Sequence, residues 1–142
     1  MQRLLIAAAI VVVVVAVALL VRRRRRPDAP TQARGTVPAQ IDRDDFARPE
    51  AAWLVVVFTS ATCHTCADVA AKAAVLASDD VAVDVLEFPA ARRVHERYHI
   101  DAVPTLVVAD AEGVVRASVL GPVTATDLWA LVAAARSSHP EL

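Results

Sequence analysis

Cysteine and glycine are both scarce in this chain, and each scarcity closes off a class of protein. Only two cysteines occur in 142 residues, Cys63 and Cys66. Two thiols do not staple a small secreted scaffold, which depends on several bridges. A structural zinc site takes a second pair of ligands, which is missing, so no metal is expected. Haem attachment wants a histidine directly after the second cysteine, and Ala67 stands there. The three glycines, Gly35, Gly113 and Gly121, fall in a linker or in turns, so there is no glycine-rich phosphate loop. Nothing else in the sequence calls for a cofactor. Acidic residues are absent from positions 1–26, which carry six arginines. Residues 27–142 hold nine Lys/Arg against sixteen Asp/Glu, a formal −7 hidden by the whole-chain −1. Such an acidic domain lacks the basic footprint of a nucleic-acid binder, and no nucleic-acid partner is expected.

What the N-terminus does have is an unbroken apolar run of 18 residues, Leu4–Val21. As a helix it would span about 27 Å, close to the hydrocarbon thickness of a bilayer. A cleaved signal peptide is the competing reading. Its apolar region is usually shorter, its charge comes first, and an A-x-A-like site follows. In this chain the charge comes mostly behind, as Arg22–Arg26. The expectation is therefore one transmembrane helix with a polyarginine stop, residues 1–26, held in membrane lipid through residues 4–26. Five arginines after the run, against Arg3 and the amino terminus before it, predict a single-pass cell-membrane protein with its C-terminal side on the cytoplasmic face. The extracytoplasmic orientation is the alternative, because large domains translocate despite flanking charge. The arginine run also suits anionic lipid, through the same electrostatics.

Residues 27–40, with Pro27, Pro30, Gly35 and Pro38, read as an extended flexible linker. A domain over residues 41–138 follows. Ile41–Phe46 predicts a short helix that tucks Ile41 and Phe46 inward, ended by Pro49. Trp53–Phe58 is an apolar, β-branched run of the kind found in strands buried on both faces. A helix is expected over Cys63–Ser78, a second buried strand over Val81–Phe88, and a further helix from Pro89 to about Tyr98. Leu106–Ala109 reads as a strand, Asp110–Gly113 as a tight turn, and Val114–Leu120 as the returning arm of a hairpin. Thr124, with Asp127 three residues on, caps a last helix carrying Leu128, Trp129, Leu131 and Val132. Alternating helix and strand make the class α/β.

The chemistry gathers at Trp53–Cys66. Small polar residues, Thr59, Ser60 and Thr62, end the apolar run, and two cysteines three residues apart open the helix. That spacing puts both thiols on one side of a helix start, within disulfide range. The helix's unpaired N–H groups and positive dipole end favour a thiolate, the reactive form of cysteine. His64 is a candidate for tuning that thiolate, since an imidazolium nearby would favour it; a solvated side chain is the plainer reading. Asp84 and Glu87 are candidate proton acceptors, or simply charges at a sheet edge. His95 and His99 read as surface residues rather than ligands.

With Cys63-His64-Thr65-Cys66 behind a buried strand, Tyr98–Thr105 reading Y-x-I-x-A-V-P-T, and the turn, hairpin and glycine of Asp110–Gly121, the chain resembles the thioredoxin family over about residues 36–136. The resemblance implies a thioredoxin-like fold, a central mixed sheet flanked by helices. It implies a thiol–disulfide oxidoreductase exchanging disulfides with protein partners through Cys63 and Cys66, and reset by an electron donor or acceptor protein. It also implies that Pro104 is cis and faces the dithiol, that Val103 pairs its backbone with substrate, and that Thr62 lies in the substrate surface. His64 and Thr65 then become tuning positions between the cysteines. Three positions depart from the family pattern. Thr62 replaces the usual tryptophan, Val57 replaces the usual buried acid, and His64-Thr65 replaces the common Gly-Pro. These departures keep a second reading open, a catalytically weak thioredoxin-like binding module tethered to the membrane.

Overall fold

The computed structural model describes residues 14–17 and 35–138. The chain divides into two compact units, Met1–Gln32 and Ala33–Leu142. In the first unit residues 14–17 are helical. The rest of Leu4–Val21, and all of Arg22–Arg26, lie outside the described residues. Among the described residues no helix is long and apolar enough to cross a membrane.

The second unit is built on a four-stranded mixed sheet. Its strands are β1 (Trp53–Ser60), β2 (Val81–Phe88), β3 (Thr105–Ala109) and β4 (Val115–Leu120), in the spatial order β2-β1-β3-β4. β1 runs parallel to β2 and antiparallel to β3, and β3 runs antiparallel to β4. Parallel neighbours need a crossover, and the helix α1 (Cys66–Ala74) supplies it. The helices α2 (Arg92–Arg97) and α3 (Ala125–Ser137) complete the unit.

β1 is central because its sequence is apolar on both faces. Trp53 through Thr59 are all buried. Trp53, Val55 and Val57 pack with Val69 and Ala73 of α1 and with Leu128 and Val132 of α3. Leu54, Val56 and Phe58 pack on the other face with Ile41, Phe46 and Tyr98. Fully burying one such aliphatic side chain stabilises the fold by roughly 1.5–3 kcal/mol, so this strand anchors both layers. β4 shows the opposite pattern: Val115, Ala117 and Val119 turn inward and Arg116, Ser118 and Leu120 outward, as suits an edge.

The structure corrects four expectations. The first helix starts at Cys66 rather than Cys63, because residues 61–65 form turns that carry the chain off the strand. β2 is an edge strand, buried only at Val81 and Ala82. Asp84 and Glu87 are the residues that mark that edge. Pro89 precedes α2 by three residues, and the Phe88–Pro89 bond is cis. Residues 35–40, read as linker, lie against the domain. Val37 packs into the core, the Val115 N–H donates to the Ala39 carbonyl at 3.0 Å, and Gln40 bridges to Val114.

A buried arginine and a close-fitting glycine hold residues 41–46 against the domain. Arg43 opens a single 3-10 turn, Arg43–Asp45, and is buried. Its guanidinium donates to the carbonyls of Asp110 at 2.7 Å and Ala51 at 2.8 Å. Burial lowers its pKa from the usual arginine value, against the opposing pull of Asp110. Gly113, at φ +78°, turns the β3–β4 connection; a Cβ there would run into the Ile41 carbonyl oxygen.

Candidate active site: a disulfide at the end of the central strand

β1 ends at Ser60, and the Cys63 N–H donates back to the Ser60 carbonyl at 3.1 Å, closing a turn. The Ser60 and Thr62 hydroxyls lie 3.1 Å apart on that turn. Cys63 and Cys66 are joined in a disulfide, with their Cα atoms 5.5 Å apart. Thr65 is the N-cap of α1 but its side chain does not cap the helix. Its hydroxyl instead lies 3.8 Å from the Cys63 sulfur. The first N–H groups of α1 have no partner within the helix, so the dithiol sits at the positive end of the helix dipole.

The two sulfurs differ in access. Cys66 is 3% exposed and packs inward on the α1 face with Val69 and Ala73, whereas Cys63 is half-buried. A large partner reaches Cys63 first. His64 and Thr62 are exposed beside it.

Val103 and Pro104 come to the same end of the sheet through strand register. Phe58 pairs with Thr105, so the residue before Thr105 faces the end from which Ser60 leads to Cys63. The Val103–Pro104 bond is cis, and the Gly121 N–H donates to the Pro104 carbonyl at 2.8 Å. Pro104 is buried and Val103 half-buried.

The interior behind the dithiol is apolar. Val57 is fully buried, and its register partners are Val85 and Leu106. Asp84 pairs with Val56, on the opposite face of the sheet, and accepts the Ala47 N–H at 3.0 Å. It serves the loop after the 3-10 turn, not the thiols. Glu87 pairs with Thr59, on the α1 face, and is exposed. Thr59 is the buried hydroxyl of that region and donates to the Leu86 carbonyl at 3.3 Å.

His95 departs from its surface reading. It is 4% exposed, edge-on to Phe58 at 5.1 Å and to Phe88 at 5.6 Å. Helical spacing carried the missed signal, since Val94 and Tyr98 share its side of α2. His99 is exposed. Among the described residues no group of three or more His, Cys, Asp or Glu is placed to hold a metal.

A buried strand that hands a Cys-x-x-C disulfide to a helix, with an X-Pro bond across from it, defines a class of redox domains. The family model for a thioredoxin-like domain matches residues 44–136, and the chain belongs to that family. Comparison with curated proteins gives no match.

Proposed function

We propose that this protein is a membrane-anchored thiol–disulfide oxidoreductase acting on protein partners. The observation that carries the proposal is the unequal exposure of the Cys63–Cys66 disulfide at the start of α1. In the reduced form, the Cys63 thiolate attacks one sulfur of a partner disulfide. The partner's S–S bond breaks, a mixed disulfide forms, and the leaving sulfur takes up a proton. Cys66 then gives up its proton and attacks the Cys63 sulfur. The second partner thiol leaves, and the Cys63–Cys66 bond closes. Two electrons pass from the dithiol to the partner, and a donor dithiol protein restores them. The same steps reversed oxidise a partner dithiol and hand electrons to an acceptor protein. On this reading the Thr65 hydroxyl, 3.8 Å from the Cys63 sulfur, donates to the thiolate of the reduced form and favours it, and the exposed His64 is the second tuning position. Val103 and Pro104 serve as the docking edge for an extended substrate segment, with Thr62 on its rim.

Replacing Cys66 with serine tests the assignment. The variant accumulates mixed disulfides through Cys63, while Cys63→Ser accumulates none. Partner trapping by the Cys63 variant alone would reverse the roles.

The competing reading is a binding module whose disulfide is idle, and the apolar setting of Val57 favours it. Thiol trapping and mass measurement before and after mild reductant separate the two. A disulfide that a thiol reductant opens and a partner disulfide recloses is catalytic, and one that resists both is structural.

A further inference from the structure

We infer that a cavity on the α2 face of the sheet, at the end of β1 that leads to the dithiol, is a subsite for a lysine or arginine side chain of the substrate polypeptide, with His95 as its hydrogen-bond acceptor. The inference rests on the oxidoreductase reading above. The cavity has a volume of about 500 Å³ and is lined by Phe88, His95, Ile100 and Asp101, among others. Its place in the fold follows from register. Phe88 ends β2 opposite Ser60, whose carbonyl holds the Cys63 N–H. Asp101 lies two residues before Val103. The cavity is therefore flanked by both segments that build the site.

His95 supplies the recognition. Its Nδ1 lies 3.2 Å from the Ala91 carbonyl, which can only accept, so Nδ1 carries the proton. In the neutral ring Nε2 is then a bare lone pair. That atom is buried and has no partner in the structure, and a buried polar atom left unpaired carries a free-energy cost that a donor relieves. Phe88 and Ile100 give the cavity apolar walls, which match the aliphatic stem of a lysine or arginine.

The charge at the mouth selects a cation. Asp101 is exposed, its carboxylate accepts the Thr36 N–H at 3.2 Å, and among the described residues no cation pairs with it. Glu96 also lines the cavity but is paired with Arg92 at 2.6 Å. The Phe88 ring already carries the Arg92 guanidinium 6.0 Å from its centroid, as an aromatic face attractive to cations does. Nε2 has no open surface in the resting structure, so a basic group donates to it as the exposed Phe88 ring beside His95 gives way, and meets the Asp101 carboxylate at the mouth. An acidic one finds a lone pair and a like charge.

The experiment uses the full-length chain in detergent. The substrates are paired disulfide peptides differing at one residue next to the target cysteine, lysine in one and glutamate in the other. A small symmetric disulfide reports the chemistry alone. The parent is expected to prefer the lysine peptide by about tenfold or more in kcat/KM, the span of one hydrogen bond to a charged group. His95→Phe, which keeps an aromatic ring between Phe58 and Phe88, should bring that ratio close to one. Asp101→Asn, at an exposed side chain, should lower it severalfold and keeps the test decisive if His95→Phe does not fold. Equal rates for both peptides, beside normal turnover of the small disulfide, overturn the subsite and leave the oxidoreductase reading standing. A preference that survives in the variants overturns the assignment to this cavity. No turnover of the small disulfide overturns both readings together.

Discussion

Val57 sets the thiol chemistry apart from that of a domain with an acid at the same point. The side chain is fully buried, with Val85 and Leu106 beside it in register. An apolar setting disfavours a thiolate by desolvation, so the buried Cys66 of α1, the helix packed on that face of β1, is expected to give up its proton slowly. In the exchange proposed above, resolution of the mixed disulfide is then the step expected to limit turnover. Val57→Asp places a carboxylate on the α1 face to accept that proton. The expected result is faster reduction of insulin disulfides, most of all toward the acid side of the range pH 6 to 9. The cost in stability is about 1–3 kcal/mol for burying a polar group. The two readouts are the reduction rate across that pH range and the unfolding midpoint. A folded variant that reacts no faster anywhere would mean that another acceptor, such as water or the exposed Glu87 on the same face, already does the work. Asp84, the other acid weighed from sequence, is on the wrong face for it.

Between elements, Tyr98 ties the end of α2 to the N-terminal segment. Its hydroxyl donates to the Asp45 carboxylate and accepts the Asp42 N–H at 2.9 Å. Burial, and then the bond given to Asp45, raise its pKa above the usual 10.0. The fold therefore keeps the phenolic proton longer than the unfolded chain does. The stability from this linkage is full below about pH 10 and is lost as pH rises through the folded-state pKa. Tyr98→Phe should cost about 1–2 kcal/mol at neutral pH, where it leaves the Asp42 N–H without a partner, and should flatten the alkaline decline. Denaturant midpoints from pH 7 to 11 check both effects. The sequence contains a single tyrosine, so a parent whose stability holds level through its ionisation would refute the linkage. The elements themselves differed in how well the sequence showed them. β1, β3, the turn at Gly113 and the Thr124 cap were legible, because an apolar run, a turn residue and a capping pair each act locally. Thr124 does accept the Asp127 N–H, at 3.1 Å. The edge position of β2 depends on which strands pair, and an apolar segment alone does not encode that. The true start of α1 depends on the turns at 61–65, and the burial of His95 on two aromatic rings distant in sequence or across the cavity. Cys63 and Cys66 stood out through spacing, while His95 became a candidate only when Phe58 and Phe88 were placed around it.

For the molecule as a whole, the unequal halves of the sequence bear on where the dithiol works. Leu4–Val21 has the length and hydropathy of a bilayer span, and Arg22–Arg26 follows it directly. Arginines next to a span are retained on the cytoplasmic side far more readily than they are moved across. We therefore propose a single-pass anchor with the redox domain on the cytoplasmic face. That placement bears on the direction of electron flow. A reducing compartment returns exposed disulfides to dithiols, so the pair would rest as Cys63 and Cys66 thiols and act as a reductase. In a bacterial expression host, carbonate-washed membranes should retain the intact chain. Protease added to intact spheroplasts should leave the domain uncut until the membrane is opened. Rapid acid quenching and thiol alkylation in whole cells should find both cysteines reduced. Cleavage from outside, with the cysteines oxidised, would place the domain on the far face and make oxidation of partner dithiols the forward reaction. Loss of the chain to the carbonate supernatant would instead remove the anchor and leave the redox domain as a free exchanger.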